Sequence, residues 1–169
     1  MDEAIVLKKK RILGTDSVVI LLTQTRGKIS AIAKGIHAPT SRRIAALQTG
    51  NLIHYDTHKK TGTTLYLTQA ELISHFSSIK KQEQGLRSLY LLLYLYELLI
   101  PEHEPDPAQY DFCKKQVISL STFRQSGFPI YPLIDSLLVK LGYGEHSSFE
   151  ECIQTVEVMI GKKIPKSII

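Results

Sequence analysis

The spacing of apolar residues changes once along this chain, near residue 80, and this change constrains the fold more than any other feature. Between residues 4 and 76, apolar and polar residues alternate in short runs rich in Val, Ile, Thr and Tyr. Alternation with a period of two is typical of half-buried strands. After residue 80 the apolar residues recur every three or four positions, which is the period of a helix. The sequence therefore predicts a β part followed by an α part, the α+β class.

The β part contains five alternating runs separated by turn residues. These runs cover 4–13, 17–25, 28–35, 51–60 and 61–76. Five short strands in so small a segment favour a closed barrel, because closure removes the exposed edges of a sheet. We expect this domain to occupy residues 1–78.

The α part predicts a small helical bundle over residues 79–169. Its first helix, 86–100, is apolar on nearly all sides and is expected to be central. Asp106 followed by Pro107 predicts the start of a second helix. A third is expected over 132–141, and Ser148 with Glu151 forms a capping box that opens a fourth.

Composition limits the class of protein. The longest apolar run, residues 88–100, is 13 residues long and contains Glu97, so it is too short to span a bilayer. The first residues show no signal-peptide pattern, and we expect a cytoplasmic protein without membrane contact. Cys113 and Cys152 are the only cysteines and form no C-x-x-C pair. A disulfide framework or a cysteine-rich metal site is therefore not expected.

Positive charge is concentrated in the predicted barrel. Residues 1–60 carry 11 Lys+Arg against 4 Asp+Glu, whereas residues 61–169 carry 10 against 12. This asymmetry indicates that the first third of the chain meets a polyanion such as nucleic acid. A solvated basic face is the alternative.

A run of four cations, Lys8 to Arg11, lies in the first predicted strand. Alternation places Lys8 and Lys10 on one face of the strand and Lys9 and Arg11 on the other. Lys8 and Lys10 are candidate phosphate contacts. Alternatively, the lysines only protect a strand end from pairing with another chain.

A second group of cations, Lys28, Lys34, Arg42 and Arg43, surrounds the third strand and the loop after it. We call residues 34–43 the basic loop. Its Gly35 allows close approach of the backbone to a ligand, and arginine matches the geometry of phosphate. A basic loop on a five-stranded barrel is typical of single-strand binding, although a solvated surface loop is the alternative.

Other candidate residues carry weaker signals. Tyr55 and Tyr66 are strand aromatics that could stack on bases, but strand tyrosines are often core residues. His54 and His58 share a strand face without an evident third ligand, so no metal is expected. Residues 77–80 match S-x-x-K, but the companion motifs of serine hydrolases are missing. We expect neither an enzyme nor a cofactor.

The order of several motifs resembles the bacterial DNA repair family RecO. They are GTDSVVILLTQTRGKISAIAKG at 14–35 with Ser41-Arg42, LTQAELI at 67–73, YLYELL at 94–99 with PEHEPDP after it, LLVKLGY at 137–143, and GKKIPKS at 161–167. Members of that family usually carry an insert after the L-G-Y segment, often with paired cysteines for zinc. Here Gly142-Tyr143 passes through GEHSS into the last helix, which implies a short form without the zinc-binding insert.

The resemblance implies an N-terminal OB-fold barrel and a C-terminal helical domain. It also implies a non-enzymatic recombination mediator that binds single- and double-stranded DNA, anneals strands and assists recombinase loading. The implied partners are RecR and the acidic, Phe-ended tail of single-stranded DNA-binding protein, and the implied location is the nucleoid. Lys28, Lys34, Arg42 and Arg43 lie on matching positions and are carried over as DNA contacts.

Two other functions fit the same residues. One is an OB-fold protein that binds RNA, which competition between RNA and DNA would distinguish. The other is a scaffold whose barrel binds only protein. Failure to bind any oligonucleotide at either of two salt concentrations would support it.

Overall fold

A computed structural model describes residues 1–38, 41, 43–59, 62–123 and 128–169. Within these residues, five strands close into a barrel in the order β1-β2-β3-β5-β4. The strands are β1 (Asp2–Arg11), β2 (Ser17–Thr23), β3 (Gly27–Ala33), β4 (Leu52–Lys59) and β5 (Leu65–Ser74). β3 and β5 pair in parallel, and the other neighbours pair antiparallel. The predicted five-stranded barrel is confirmed.

Alternating side chains fill the barrel. In β3, Ile29, Ala31 and Ala33 are almost fully buried, whereas Ser30 on the other side of the strand is exposed. Lys34, directly after the strand, is exposed as well. Val6, Val19, Leu21, Ile53 and Leu67 belong to the same core. A shift in register between Val6 and Lys8 marks a β-bulge in β1. Bulges bend and twist a strand, as closing a small barrel requires.

The helices follow the predicted order with small differences at their ends. They are α1 (Arg43–Ala46), α2 (Ser77–Lys80), α3 (Glu83–Leu99), α4 (Pro107–Thr122), α5 (Ile130–Lys140) and α6 (Phe149–Ile160). α5 begins two residues before the predicted start, because Pro132 is tolerated in a first turn where its missing N–H has no intrahelical partner. The short helices α1 and α2 are absent from the sequence prediction.

Local capping signals are present where the sequence places them. Asp106 Oδ1 accepts a hydrogen bond of 2.9 Å from the Gln109 amide at the start of α4. Ser148 Oγ accepts from the Glu151 amide at 3.2 Å, and Gly161 ends α6 with φ +67°. The Glu151 carboxylate reaches the Ser147 amide at 2.7 Å, one residue further back than in a standard capping box.

The structure divides into two compact units. The barrel unit contains residues 1–77 and 93–115, and the helical unit contains residues 78–92 and 116–169. The later part of α3 and the earlier part of α4 therefore pack with the strands. Glu3 joins β1 to α4, because its Oε1 accepts hydrogen bonds from Tyr110 Oη (2.7 Å) and Lys114 Nζ (2.6 Å). The prediction that the barrel domain ends at residue 78 and the helical domain begins at 79 stays a prediction.

The helical unit is built around buried leucines. Leu89 and Leu92 of α3, together with Leu137 and Leu138 of α5, are fully buried. Among the described residues, none of the helices combines the length and apolarity that crossing a membrane requires.

Candidate nucleic-acid interface

One row of side chains crosses the outer face of the barrel. Lys10 in β1 pairs with Val18 in β2, and Val18 pairs with Ile32 in β3. Ile32 pairs with Tyr66 in β5, and Tyr66 pairs with His58 in β4. Laterally paired residues point to the same side of a sheet, so these five side chains all lie on the outer surface of the barrel. Because the barrel is closed, the row follows its curved wall through all five strands.

Lys34 adds a second cation to this outer face. It lies two residues beyond Ile32, and alternation brings both side chains to the same side. Its Nζ lies 5.0 Å from the centroid of the Tyr66 ring, within the range of a cation–π contact. A groove of about 290 Å³ lies here, lined by Ile32, Lys34, Arg43, His58, Tyr66, Leu67 and Thr68. This described lining contains no acidic residue.

Arg43 stabilises the backbone that lines this groove. Its guanidinium donates to the carbonyl oxygen of Lys34 (2.6 Å) and to that of Leu67 (2.9 Å), thereby joining the end of β3 to β5. The residue begins α1 instead of lying in an irregular loop. Its guanidinium therefore orients the backbone around the groove in this structure, and its role as a DNA contact stays a prediction.

Lys28 is placed differently from the other predicted contacts. It is 6% exposed, and its Nζ donates a hydrogen bond to the carbonyl oxygen of Glu97 near the C-terminus of α3. Burial lowers the pKa of its ammonium, whereas the nearby carboxylates of Glu102 and Glu97 act in the opposite direction. In this structure the side chain ties β3 to a helix instead of facing solvent. Its assignment as a DNA contact remains an untested prediction.

The cations of β1 differ in their availability. Lys10 is exposed. Lys8 is about half exposed and forms an ion pair of 2.7 Å with Glu97. Lys9 is half-buried, and burial lowers its pKa. The structure thus places Lys10 and Lys34 at the surface, while Lys8 shares its charge with an acid. Arg42 lies outside the described residues.

The two candidate stacking residues have separate environments. Tyr55 is 1% exposed and donates a hydrogen bond of 3.1 Å to Asp2, so it belongs to the core. Burial raises its pKa to about 12. Tyr66 is half-buried in the outer face. His54 is exposed on β4. Only Tyr66, of the two tyrosines, lies where a base could reach its ring.

A polar cluster in the helical unit was not anticipated from the sequence. Ligand atoms of Asp135, His146 and Cys152 lie within 4.8 Å of one another. The two ring nitrogens of His146 are engaged by Asp135 Oδ1 (3.0 Å) and Thr155 Oγ1 (2.9 Å). Burial raises the pKa of the Cys152 thiol to about 11, which disfavours the thiolate form that binds metals. The cluster connects α5, α6 and the turn between them. The prediction from the sequence that the protein binds no metal stays a prediction.

The S-x-x-K segment forms α2. Ser78 Oγ donates to the carbonyl oxygen of Ser121 at 2.9 Å. Burial lowers the pKa of Lys80 to about 8. A lysine with a lowered pKa is a common feature of active sites but also occurs in buried structural positions.

A five-stranded barrel with the strand order found here is an OB-fold, a class of small barrels whose outer face and loops bind oligomers. Residues 1–76 match the family described as "Recombination protein O N terminal".

Curated relatives extend the similarity beyond the barrel. The chain is 40% identical to the DNA repair protein RecO of Nocardioides sp. over 45% of this chain and 31% of that protein. It is 34% identical to RecO of Heliobacterium modesticaldum over 60% of this chain and 37% of that protein. It is 27% identical to RecO of Clostridium novyi over 98% of this chain and 62% of that protein. The predicted resemblance to the RecO family is confirmed, and the chain spans less than two thirds of the length of these relatives.

Proposed function

We propose that the barrel binds single-stranded DNA on the outer face that contains Lys10, Lys34 and Tyr66. The observation that carries this proposal is the exposed Lys34 at 5.0 Å from the Tyr66 ring, on the outer surface where the row of paired residues also contains Lys10. Cations neutralise phosphates and release counterions. An aromatic ring at the surface stacks on bases with little preference for their identity.

Lys34 and Tyr66 form the centre of the proposed site. The exposed lysine covers the ring in this structure. An incoming base takes the place of the ammonium on the ring, and the ammonium moves to the adjacent phosphate. Arg43 maintains the backbone beneath them through its two carbonyl contacts. This arrangement favours an unpaired strand, because a base can reach the ring only when it is free of its own partner.

The double change Lys10→Ala and Lys34→Ala tests the proposal. Each lost phosphate contact lowers the slope of log K against log salt by about 0.7 for a single strand. We expect the double variant to lose about two such contacts and to bind more weakly at every salt concentration. The measurement is a fluorescence anisotropy titration with single-stranded DNA at a series of salt concentrations.

The matched control is the double change Lys115→Ala and Lys162→Ala. It removes two exposed lysines that lie outside the barrel strands. Equal salt slopes for the wild type and for the Lys10 and Lys34 variant would sink the proposed face. Competition by an RNA of the same sequence distinguishes DNA binding from RNA binding. Failure of the wild type to bind any oligonucleotide at low and high salt would favour a protein-binding scaffold.

We further propose that DNA binding serves repair, with the chain acting as a non-enzymatic recombination mediator. The RecO names of the relatives and the N-terminal family support this role. Neutralising the phosphates of two complementary strands reduces their repulsion, so the protein would accelerate annealing. RecR is proposed as a partner from the family resemblance, and failure of the two purified proteins to co-elute at micromolar concentration would argue against it.

The helical unit contains a pocket suited to the proposed tail of single-stranded DNA-binding protein. Apolar Leu91, Ile130 and Phe149 line a volume of about 250 Å³, and Arg87 stands beside them. An apolar pocket next to a cation matches an acidic peptide that ends in phenylalanine. Arg87 also forms an ion pair of 2.9 Å with Glu83, which competes for the same guanidinium.

Substitution of Arg87 tests the tail proposal. A hydrogen bond to a charged group contributes about 1.5–3 kcal/mol, so Arg87→Ala should weaken binding of the tail peptide about tenfold or more. Glu83→Ala should strengthen binding, because it frees the guanidinium from its ion pair. Lys162→Ala serves as the control. Calorimetric titration with the peptide and with a version that ends in alanine measures these effects, and the same affinity for both peptides would exclude the pocket.

A further inference from the structure

The turn between β1 and β2 presents an apolar tip beside a run of cations. Leu13 is 90% exposed and Ile12 is 41% exposed. The preceding residues are Lys8, Lys9, Lys10 and Arg11. The tip therefore continues the strand that carries Lys10, the cation at one end of the outer row. Apolar side chains beside cations are the composition of protein segments that enter between base steps.

Hydrogen bonds hold this turn in one shape. Arg11 donates from Nε and from an Nη to the carbonyl oxygen of Gly14, at 3.1 and 3.0 Å. The Ile12 amide donates to Asp16 (3.1 Å), and the Asp16 amide donates to Leu13 (3.3 Å), in both cases to the carbonyl oxygen.

The same turn is also fixed from outside. The His37 amide donates to the carbonyl oxygen of Thr15 (3.0 Å), and the Gly35 amide donates to Asp16 Oδ1 (2.8 Å). The second bond anchors the Asp16 side chain to the backbone that follows β3. These hydrogen bonds hold the turn in a fixed conformation with Leu13 in solvent. The tip therefore loses little conformational entropy when it binds.

We propose that Leu13 is a wedge that enters between adjacent base pairs of double-stranded DNA while Lys10 and Arg11 contact the flanking phosphates. This proposal rests on the proposed function and adds a duplex-opening element to it. Bases along a strand are spaced about 3.4 Å apart, so one side chain is enough to part a step. Partial unstacking would expose bases to the face that contains Tyr66.

A membrane surface is a less suitable occupant of the same tip. One exposed leucine and one half-exposed isoleucine bury little area in a bilayer, and stable membrane attachment by apolar groups requires more than a single short insertion. Charge complementarity together with continuity into the outer row favours nucleic acid.

The test uses the full chain and a short duplex that contains a fluorescent adenine analogue, whose emission rises when it is unstacked. We expect saturating wild-type protein to raise the emission several-fold. Leu13→Ala should abolish most of this rise and change duplex affinity by less than about threefold, because the lost apolar contact is offset by the unstacking that no longer has to occur. Leu13→Phe should retain the rise.

Two controls separate the wedge from simple binding. Lys10→Ala should weaken duplex binding and lower its salt slope by about 0.9, while emission at saturation stays at the wild-type level. Val158→Ala, which shortens an apolar side chain of α6 that is 82% exposed, should change neither quantity.

Several outcomes would overturn the wedge. The first is a rise in emission that is equal for wild type and Leu13→Ala, and the second is wild-type binding without any rise. Attachment to anionic vesicles that depends on Leu13, without unstacking of DNA, would assign the tip to a membrane. These results leave single-strand binding by the outer face intact, whereas failure to bind any oligonucleotide would remove the proposed function as well.

Discussion

Replacement of Leu92 by aspartate is expected to unfold the helical unit. Leu92 lies in α3 and is completely buried. Loss of a buried leucine side chain costs about 2–5 kcal/mol, and a carboxyl group without a partner in an apolar core adds several more. The sum is comparable with the whole stability of a domain, about 5–15 kcal/mol. Far-UV circular dichroism and urea titration measure the loss of helix and of the cooperative transition.

The matched control is Tyr90→Asp, two positions earlier in the same helix. Tyr90 is 44% exposed, so the new carboxylate stays in water. The expected cost is that of a change in helix propensity plus partial loss of aromatic contact, about 1 kcal/mol or less. If Leu92→Asp kept the helical ellipticity and the urea midpoint of the wild type, the placement of α3 in the core would be wrong.

Features that depend on neighbouring residues were predictable from the sequence. Asp106 and Ser148 cap their helices through bonds to amides three residues away, and Gly161 ends α6 in the left-handed region. Cys113 and Cys152 are both buried, as their positions on apolar stripes predict. Strand alternation likewise placed Lys8 and Lys10 on one face, because the period of two is a local property of the chain.

Features that depend on distant residues were not predictable. Lys28 looks like a surface cation in its strand, but its ammonium meets the carbonyl oxygen of Glu97, 69 residues further along the chain. Arg43 is drawn to the carbonyl oxygen of Leu67 by the pairing of β3 with β5. The cation–π contact of Lys34 with Tyr66 also depends on that register. Register between strands that are not adjacent in sequence has no local signal, so the groove became visible only in the fold.

The segment after α3 also contacts Lys28, through its backbone. The Lys28 carbonyl oxygen accepts a hydrogen bond of 2.9 Å from the His103 amide, and Lys28 forms a parallel bridge with Glu102. The Pro-rich stretch PEHEPDP therefore lies against β3 instead of serving only as a spacer. His103 has φ +60°, an uncommon value for a residue with a side chain. Contacts with the barrel hold this conformation.

The change Gly27→Ala is expected to disrupt this attachment and strongly destabilise the barrel unit. Gly27 has φ +67°, and a Cβ at this position would lie 2.2 Å from the carbonyl oxygen of Glu104. The left-handed conformation alone costs an alanine about 1–2 kcal/mol. Relief of the clash requires the segment around Glu104 to leave β3, and each lost hydrogen bond costs about 1 kcal/mol more. We expect a total of about 3 kcal/mol or more, measured as a lower urea midpoint.

Gly35→Ala isolates the contribution of the clash. Gly35 has nearly the same φ, +66°, but an added Cβ would meet no atom within 4 Å. Its variant should lose only the conformational cost of about 1–2 kcal/mol and keep the remaining contacts of the barrel. The difference between the two variants then measures how firmly the segment after α3 is held against β3. Equal urea midpoints for Gly27→Ala and Gly35→Ala would mean that the segment around Glu104 can move away from the added Cβ without a loss of stability. In that case the contact of Lys28 with α3, and not the backbone packing at Gly27, attaches the helix to the barrel.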